Sequence, residues 1–358
     1  MMKRLTLALL IILLLGFAAC KRETVPPSVY DKYDHYLDKS KPMAFGDDRD
    51  IQLFVSDELQ ADIMDILAPS LTRKVQLSIL EQYFYLQPVS GDKIKEFENY
   101  KNLIFCGTLD GGDKVSRHIR STLKQDILDK VKASGAEMVM ASNVTVRDQL
   151  LLYLVASDAQ ALQQLASSRK DQIFEKCLER YNLRQGYQSY TNAVIDNKLF
   201  RSLPYTIQIP QLFDIYSNNP EGNFMSFVYK PRTTQRDLPD KFVSIYYEAM
   251  PQNKVNREWL LEKRKELLAD HFPGDQILED KIEYDYFQIG GFDALRLRGA
   301  WINSGISGGV GGAFQAYAFW HAPSRTAFVV DNIVYFPAGD KLPVLLELEQ
   351  ISASLRVK

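Results

Sequence analysis

The stretch Ile282-Glu283-Tyr284-Asp285-Tyr286-Phe287-Gln288-Ile289-Gly290-Gly291-Phe292-Asp293-Ala294-Leu295-Arg296-Leu297-Arg298-Gly299-Ala300-Trp301-Ile302 decides the fold class. Alternating residues flank Gly290-Gly291, the pattern of two antiparallel strands joined by a tight turn. In the second strand Phe292, Ala294, Arg296 and Arg298 share one face, and Leu295, Leu297 and Trp301 share the other. Further strands are read upstream at 205–209, 223–230 and 241–249, and downstream at 313–321 and 327–336. One helix, 257–269, interrupts them, and a second, 340–355, closes the chain. Strands run together with few helices describe an α+β domain with a mainly antiparallel sheet and a C-terminal helix.

The preceding half has a different rhythm. Strands at 51–56, 82–89, 101–109 and 149–157 alternate with amphipathic helices. Asp57 is a candidate cap for the first helix. A helix over 115–131 follows Gly111-Gly112-Asp113, and Asp158 caps a long helix with Leu162, Leu165, Ile173, Phe174, Cys177, Leu178 and Tyr181 inward. This interleaving predicts an α/β sandwich. The expected organisation is therefore 1–19, 20–45, 46–196 for the N-terminal α/β sandwich and 197–358 for the C-terminal α+β domain.

The first two of those segments carry an address. Lys3 and Arg4 precede an apolar run, Leu5 to Leu15, and Phe17-Ala18-Ala19 leads into Cys20. The run falls short of the about 20 apolar residues that span a bilayer. Its layout is that of a signal peptide whose final cysteine is acylated after cleavage. Lipidation at Cys20, as by palmitate, makes the membrane a partner, since each buried methylene contributes about 0.8 kcal/mol. Lys21, rather than an aspartate, favours the outer membrane. The proline-bearing stretch from Thr24 to Phe45 reads as a tether holding the body in the periplasm.

Loss of Lys3 and Arg4 moves the formal charge from −2 to about −4. That balance supports no nucleic-acid partner. Cys106 and Cys177 remain after Cys20 is acylated. The compartment permits a bridge between them, but each lies in an apolar setting that favours two packed thiols.

Candidate chemistry is sparse. Gly305-Ile306-Ser307-Gly308-Gly309 matches the string of an esterase nucleophile elbow, which needs a strand before it and a helix after it. Here Gly311-Gly312 and a strand follow, so a hairpin loop is favoured over a catalytic Ser307. His35, His118, His271 and His321 lie too far apart for a helical metal pair, and His118 is read on an exposed helix face. No metal or cofactor is implied, and no enzyme activity is expected. Arg296 and Arg298 could clamp an anion, or could pair with Glu283 and Asp285 on the neighbouring strand. Tyr317 and His321 lie on a strand apolar on both faces. It reads as central and covered, with an aromatic binding groove that includes Trp301 as the competing reading.

Several motifs resemble those of Bacteroidota envelope lipoproteins grouped under a domain of unknown function. They are Arg298-Gly299-Ala300-Trp301, Gly311-Gly312-Ala313-Phe314, the run from Asn332 to Lys341, and Leu346-Glu347-Leu348-Glu349-Gln350-Ile351. In the first half they are Asp148-Gln149-Leu150-Leu151 and Glu179-Arg180 with Arg184. The family form is Gly-Gly-Pro-Phe; Ala313 stands at the proline, and the glycines are taken to shape a turn. The resemblance implies an envelope location and no catalytic residues. The second half is also similar to the PsbP-type fold, which implies a C-terminal helix lying across the sheet. The expected function is a lipid-anchored envelope protein acting in binding or envelope assembly, on an envelope protein or a glycan.

Overall fold

The computed structural model describes residues 39–190, 194–231, 238–305 and 309–358. The fold class is α+β as expected: an interleaved α/β unit followed by a mainly antiparallel sheet and a C-terminal helix.

In the first half the chain runs β1 (Asp50–Phe54), α1 (Asp57–Leu71), β2 (Lys74–Gln76), β3 (Leu80–Gln82), β4 (Tyr85–Val89), α2 (Ile94–Phe97) and β5 (Asn102–Thr108). It continues through α3 (Lys114–Thr122), α4 (Gln125–Ser134), β6 (Ala136–Ser142), β7 (Leu150–Ala156) and α5 (Ala159–Ser189). Five strands form one sheet in the order β4-β1-β5-β7-β6, parallel except for the edge strand β6. Every residue of β5 and β7 is buried, as continuous apolar runs require when helices cover both faces. One core packs Ile51, Leu53, Ile104 and Leu152 against α1 and α5, and a separate one packs Phe54, Phe105 and Tyr153 against α3 and α4.

Several expectations need correction here. The helix read over 115–131 is two helices, because Leu123 at the end of α3 is extended. Asp57 lies in the first turn of α1 with Ser56 at the cap position. His118 is half-buried, its ring 4.9 Å from that of Phe105, and burial lowers its pKa. Asp158 does cap α5, accepting from the Ala161 N–H at 2.9 Å. Cys106 and Cys177 are free, buried thiols whose pKa burial pushes up to about 12.

The second half runs β8 (Tyr205–Thr206), β9 (Asp214–Asn219), β10 (Phe224–Tyr229), β11 (Asp240–Ala249), α6 (Arg257–His271), β12 (Asp275–Ile289), β13 (Phe292–Asn303), β14 (Val310–His321), β15 (Thr326–Tyr335), α7 (Leu342–Ser352) and β16 (Arg356–Val357). Seven strands form an antiparallel sheet in the order β12-β13-β14-β15-β11-β10-β9. The hairpin at Gly290-Gly291 stands as read, with both glycines at positive φ. The strand read over 205–209 shortens to β8, and α7 is shorter than expected because the chain ends in β16, which pairs with β8.

The sheet is covered on both faces. α6 lies on one with Leu260, Leu267 and Leu268 against Leu297, Phe314 and Val329. α7 lies on the other, and its core is continuous with that beneath α5. Contacts also tie the halves together. Arg49 pairs with Asp340 at 2.5 Å, Arg298 Nη1 donates to the Tyr83 hydroxyl at 3.1 Å, and the Ser189 hydroxyl donates to Glu347 at 3.1 Å.

Candidate binding pocket

Strand alternation sorts the residues singled out in the sequence onto the two faces of the large sheet. Arg296 faces α7, where its guanidinium meets Asp285 at 2.6 Å and Glu349 at 2.9 Å. Arg298 meets the same Asp285 at 3.2 Å and Glu283 at 3.6 Å. The anion clamp is therefore filled from within the chain, by the neighbouring-strand carboxylates named as the alternative. Tyr317 is fully buried and donates to Glu349 at 2.7 Å. His321 is half-buried, with Nδ1 2.8 Å from the Ser324 hydroxyl and its ring edge-on to Phe292. None of these four forms an aromatic groove.

Trp301 points the other way. Its indole N–H donates to the Val334 carbonyl at 3.2 Å, a contact that depends on Gly312. A Cβ at Gly312 would stand 1.9 Å from the Val334 oxygen and 2.8 Å from the indole nitrogen. The glycines of Gly311-Gly312 thus lie within β14 and make room for Trp301, rather than shaping a turn.

Trp301 lines a cavity of about 340 Å³ at one end of the α6 face. The other rings are Tyr216 from β9, Phe242 from β11, Phe272 at the end of α6 and Tyr335 at the end of β15. Tyr216 stacks on Phe272 at 5.3 Å and stands edge-on to Phe242 at 5.1 Å. A register shift beside Ser226 and Phe227 leaves Tyr216 without a cross-strand partner. Such a bulge bends an edge strand and re-aims a side chain, and here the aimed ring remains 45% exposed at the mouth.

Polar groups complete the lining: Lys230, Asp240, Asp275 and Asn303. Asn303 donates to Asp275 at 2.8 Å and to the Pro273 carbonyl at 3.1 Å. Burial raises the Asp275 carboxyl pKa, opposed by the Asn303 hydrogen bond and the charge of Arg264. Arg264 itself is fully buried under α6. Its guanidinium lies 3.4 Å from the centre of the Phe314 ring and its Nε donates to Asp331 at 3.1 Å. The cavity falls at the small end of the range for ligand sites, about 300–1,000 Å³, which combine apolar walls with a few polar groups. Stacking faces, an ammonium group and two carboxylates suit a flat ligand with one apolar side and hydrogen-bonding edges.

A second cavity, about 550 Å³, lies between β1 and β5, where the strand order of the first sheet reverses. Ligands of open α/β sheets favour that position. Its lining includes Asp57, Glu58, Asp110 and Asp113 beside Gly111-Gly112. Asp113 is committed to the cap of α3, accepting from the Ser116 N–H at 2.9 Å. Among the described residues, no three His, Cys, Asp or Glu side chains converge to hold a metal.

Cys20, His35 and Ser307 lie outside the described residues. Around Ser307 the chain passes from β13 to β14, so a strand follows where an esterase elbow needs a helix. In the first half the resembling motifs meet. Arg184 pairs with Asp148 at 2.7 Å and donates to Asn102 at 2.9 Å, while Arg180 stands 3.4 Å from Asp148. This buried cluster fastens α5 to the β6–β7 connection. The pocket residues other than Trp301 escaped the sequence reading. Tyr216, Phe242, Phe272 and Tyr335 lie on or beside four separate elements, and no local pattern in the sequence brings them together.

The architecture defines the chain as an α/β sandwich joined to an antiparallel sheet between two helices. Residues 192–354 match the family described as Domain of unknown function (DUF4837); this span takes in the resembling motifs of the second half, and those of the first half lie outside it. No curated protein matches the chain. Among solved structures, the Ran-binding protein Mog1p of Saccharomyces cerevisiae aligns at 14% identity over 43% of this chain and 90% of its own, with a TM-score of 0.30. LpqN of Mycobacterium tuberculosis, described as involved in cell envelope biogenesis, aligns at 19% identity over 43% and 83%, with a TM-score of 0.27. The PsbP of Synechocystis sp. PCC 6803 aligns at 12% identity over 43% and 87%, also with a TM-score of 0.27. No described helix is long and apolar enough to cross a membrane.

Proposed function

We propose that this protein is a lipid-anchored envelope protein, held at the outer membrane through Cys20, that binds a glycan without transforming it. The exposed Tyr216 ring stacked on Phe272 over a cavity of about 340 Å³ carries this reading. A pyranose presents an apolar ring face to such an aromatic and hydroxyl groups to flanking carboxylates such as Asp275. The signal-like segment ending in Cys20 supports the anchor.

Saturation-transfer NMR with a panel of envelope oligosaccharides tests the binding. Transfer to sugar-ring protons is expected with the wild-type protein. Tyr216→Ala should weaken binding by about 1 kcal/mol or more, the scale of an aromatic contact beyond its area. Equal transfer to both proteins, or none to either, would refute the assignment of the site.

A further inference from the structure

The exposed apolar side chains nearest the start of the described chain form a face of their own. Met43, Phe45 and Val144 are 50%, 64% and 48% exposed. Residues 42–45 are extended, with Ala44 turned inward and its two neighbours outward, as alternation requires. Backbone hydrogen bonds fix this segment to two loops. Ala44 N–H donates to the Arg147 carbonyl at 3.2 Å, Arg147 N–H to the Pro42 carbonyl at 2.8 Å, and Phe45 N–H to the Asn99 carbonyl at 2.8 Å. Lys41 donates to the carbonyl of Asn143, beside Val144. Phe45 and Tyr100 rings lie 6.4 Å apart. Met43, Phe45 and Val144 therefore share one end of the first sheet, where β1, β5 and β7 begin. The cavity at the reversal of that sheet lies at the opposite end.

We infer that this end of the molecule docks on the phospholipid surface of the bilayer that holds the anchor. The inference rests on the lipid attachment proposed for Cys20. Its carrying observation is the short chain between Cys20 and this face: Lys39 precedes Met43 by four residues, and only residues 21–38 separate it from Cys20. Residues 21–38 can span at most about 60 Å when extended. The face therefore stays at high effective concentration near the membrane, and a contact too weak for a free protein is populated. Charges of both signs stand at this end, Lys39, Lys41, Lys101 and Arg147 with Asp47, Asp48 and Glu98, and Asp48 is paired with Lys101 at 2.5 Å. The attraction is accordingly apolar, through Phe45, Met43 and Val144 reaching the headgroup boundary.

A polarity-sensitive thiol dye tests this on the acylated, mature chain in phosphatidylethanolamine vesicles. Cys106 and Cys177 are 1% exposed and escape labelling, so Val144→Cys and the control Tyr286→Cys, at a site 74% exposed on the second sheet, can each be labelled. The label at 144 should shift to the blue and be quenched several-fold more than that at 286 by lipid-borne nitroxide. Adding Met43→Ser and Phe45→Ser should reduce quenching at 144 to the level of 286. Equal quenching at the two sites, or no effect of the serines, overturns the inference. Mass measurement of the mature N-terminus reads acylation separately. A polyhistidine tag in place of residues 1–20, on nickel-chelating lipid, preserves the geometry if acylation fails.

Discussion

Glu349 shows how a single buried carboxylate orders its surroundings. It accepts from Arg296 at 2.9 Å, Tyr317 at 2.7 Å and Gln315 at 2.6 Å. Burial raises its pKa, against the charge of Arg296 and the hydrogen bonds of Tyr317 and Arg296. A raised folded pKa means that the folded state holds the proton more tightly than the unfolded chain. The stability from this linkage is complete below the ordinary glutamate pKa of about 4.3 and is lost as pH rises through the folded value. Wild type should therefore lose stability relative to Glu349→Gln as pH climbs from that range towards neutrality. Thermal melts across the interval check this, and parallel profiles would count against it. Arg296 keeps its Asp285 partner in the variant, so no guanidinium is orphaned. The same cluster marks a limit of sequence reading. Alternation placed Arg296 and Arg298 on one face, and the pairing with Asp285 was legible from the adjacent strand. The third partner comes from a helix more than fifty residues later, which no local pattern reveals.

At the scale of elements, α7 is capped from the other half of the chain. Glu81 of β3 accepts from the N–H groups of Lys341 at 2.9 Å and Leu342 at 2.7 Å. A carboxylate there satisfies two of the orphan donors of a helix N-terminus and complements its dipole. Glu81→Ala leaves both N–H groups buried without that acceptor and should cost about 1–3 kcal/mol. Glu81→Gln keeps an acceptor oxygen and should cost less. Urea denaturation of the two variants measures the difference; equal losses would show that packing, not capping, is the cause. Elements were legible where burial imposes a pattern. β5 and β7 are wholly buried around continuous apolar runs, and α5 carries its inward stripe behind a capping aspartate. β9 was not legible, because an edge strand exposed along most of its length, Asp-Ile-Tyr-Ser-Asn-Asn, has no buried face to declare. The break between α3 and α4 was hidden for another reason: the extended residue is Leu123, and neither glycine nor proline marks it.

The whole molecule turns on α5, whose 31 residues extend about 46 Å at the helical rise. It lies against α1 and the first sheet, and it also packs on α7. One apolar core runs from Ile51 and Leu53 through Phe174 and Tyr181 to Leu345 and Leu348. Chains of this size usually unfold domain by domain. Here, unfolding the first half would strip the Glu81 cap, the Arg49–Asp340 pair and the α5 cover from α7. Unfolding the second would expose the inward face of α5. Each half alone thus loses apolar burial that the other supplies, which couples them. Calorimetry of the mature chain should give a single transition whose van't Hoff and calorimetric enthalpies agree, and two resolved transitions would refute the coupling. The coupling also has a consequence for binding. A ligand held beside Tyr216 stabilises only the folded state, by mass action. In a cooperative molecule it should raise the one transition as a whole and slow amide exchange in β5 and β7, remote from the pocket. Were the halves independent, protection would stop at the second sheet.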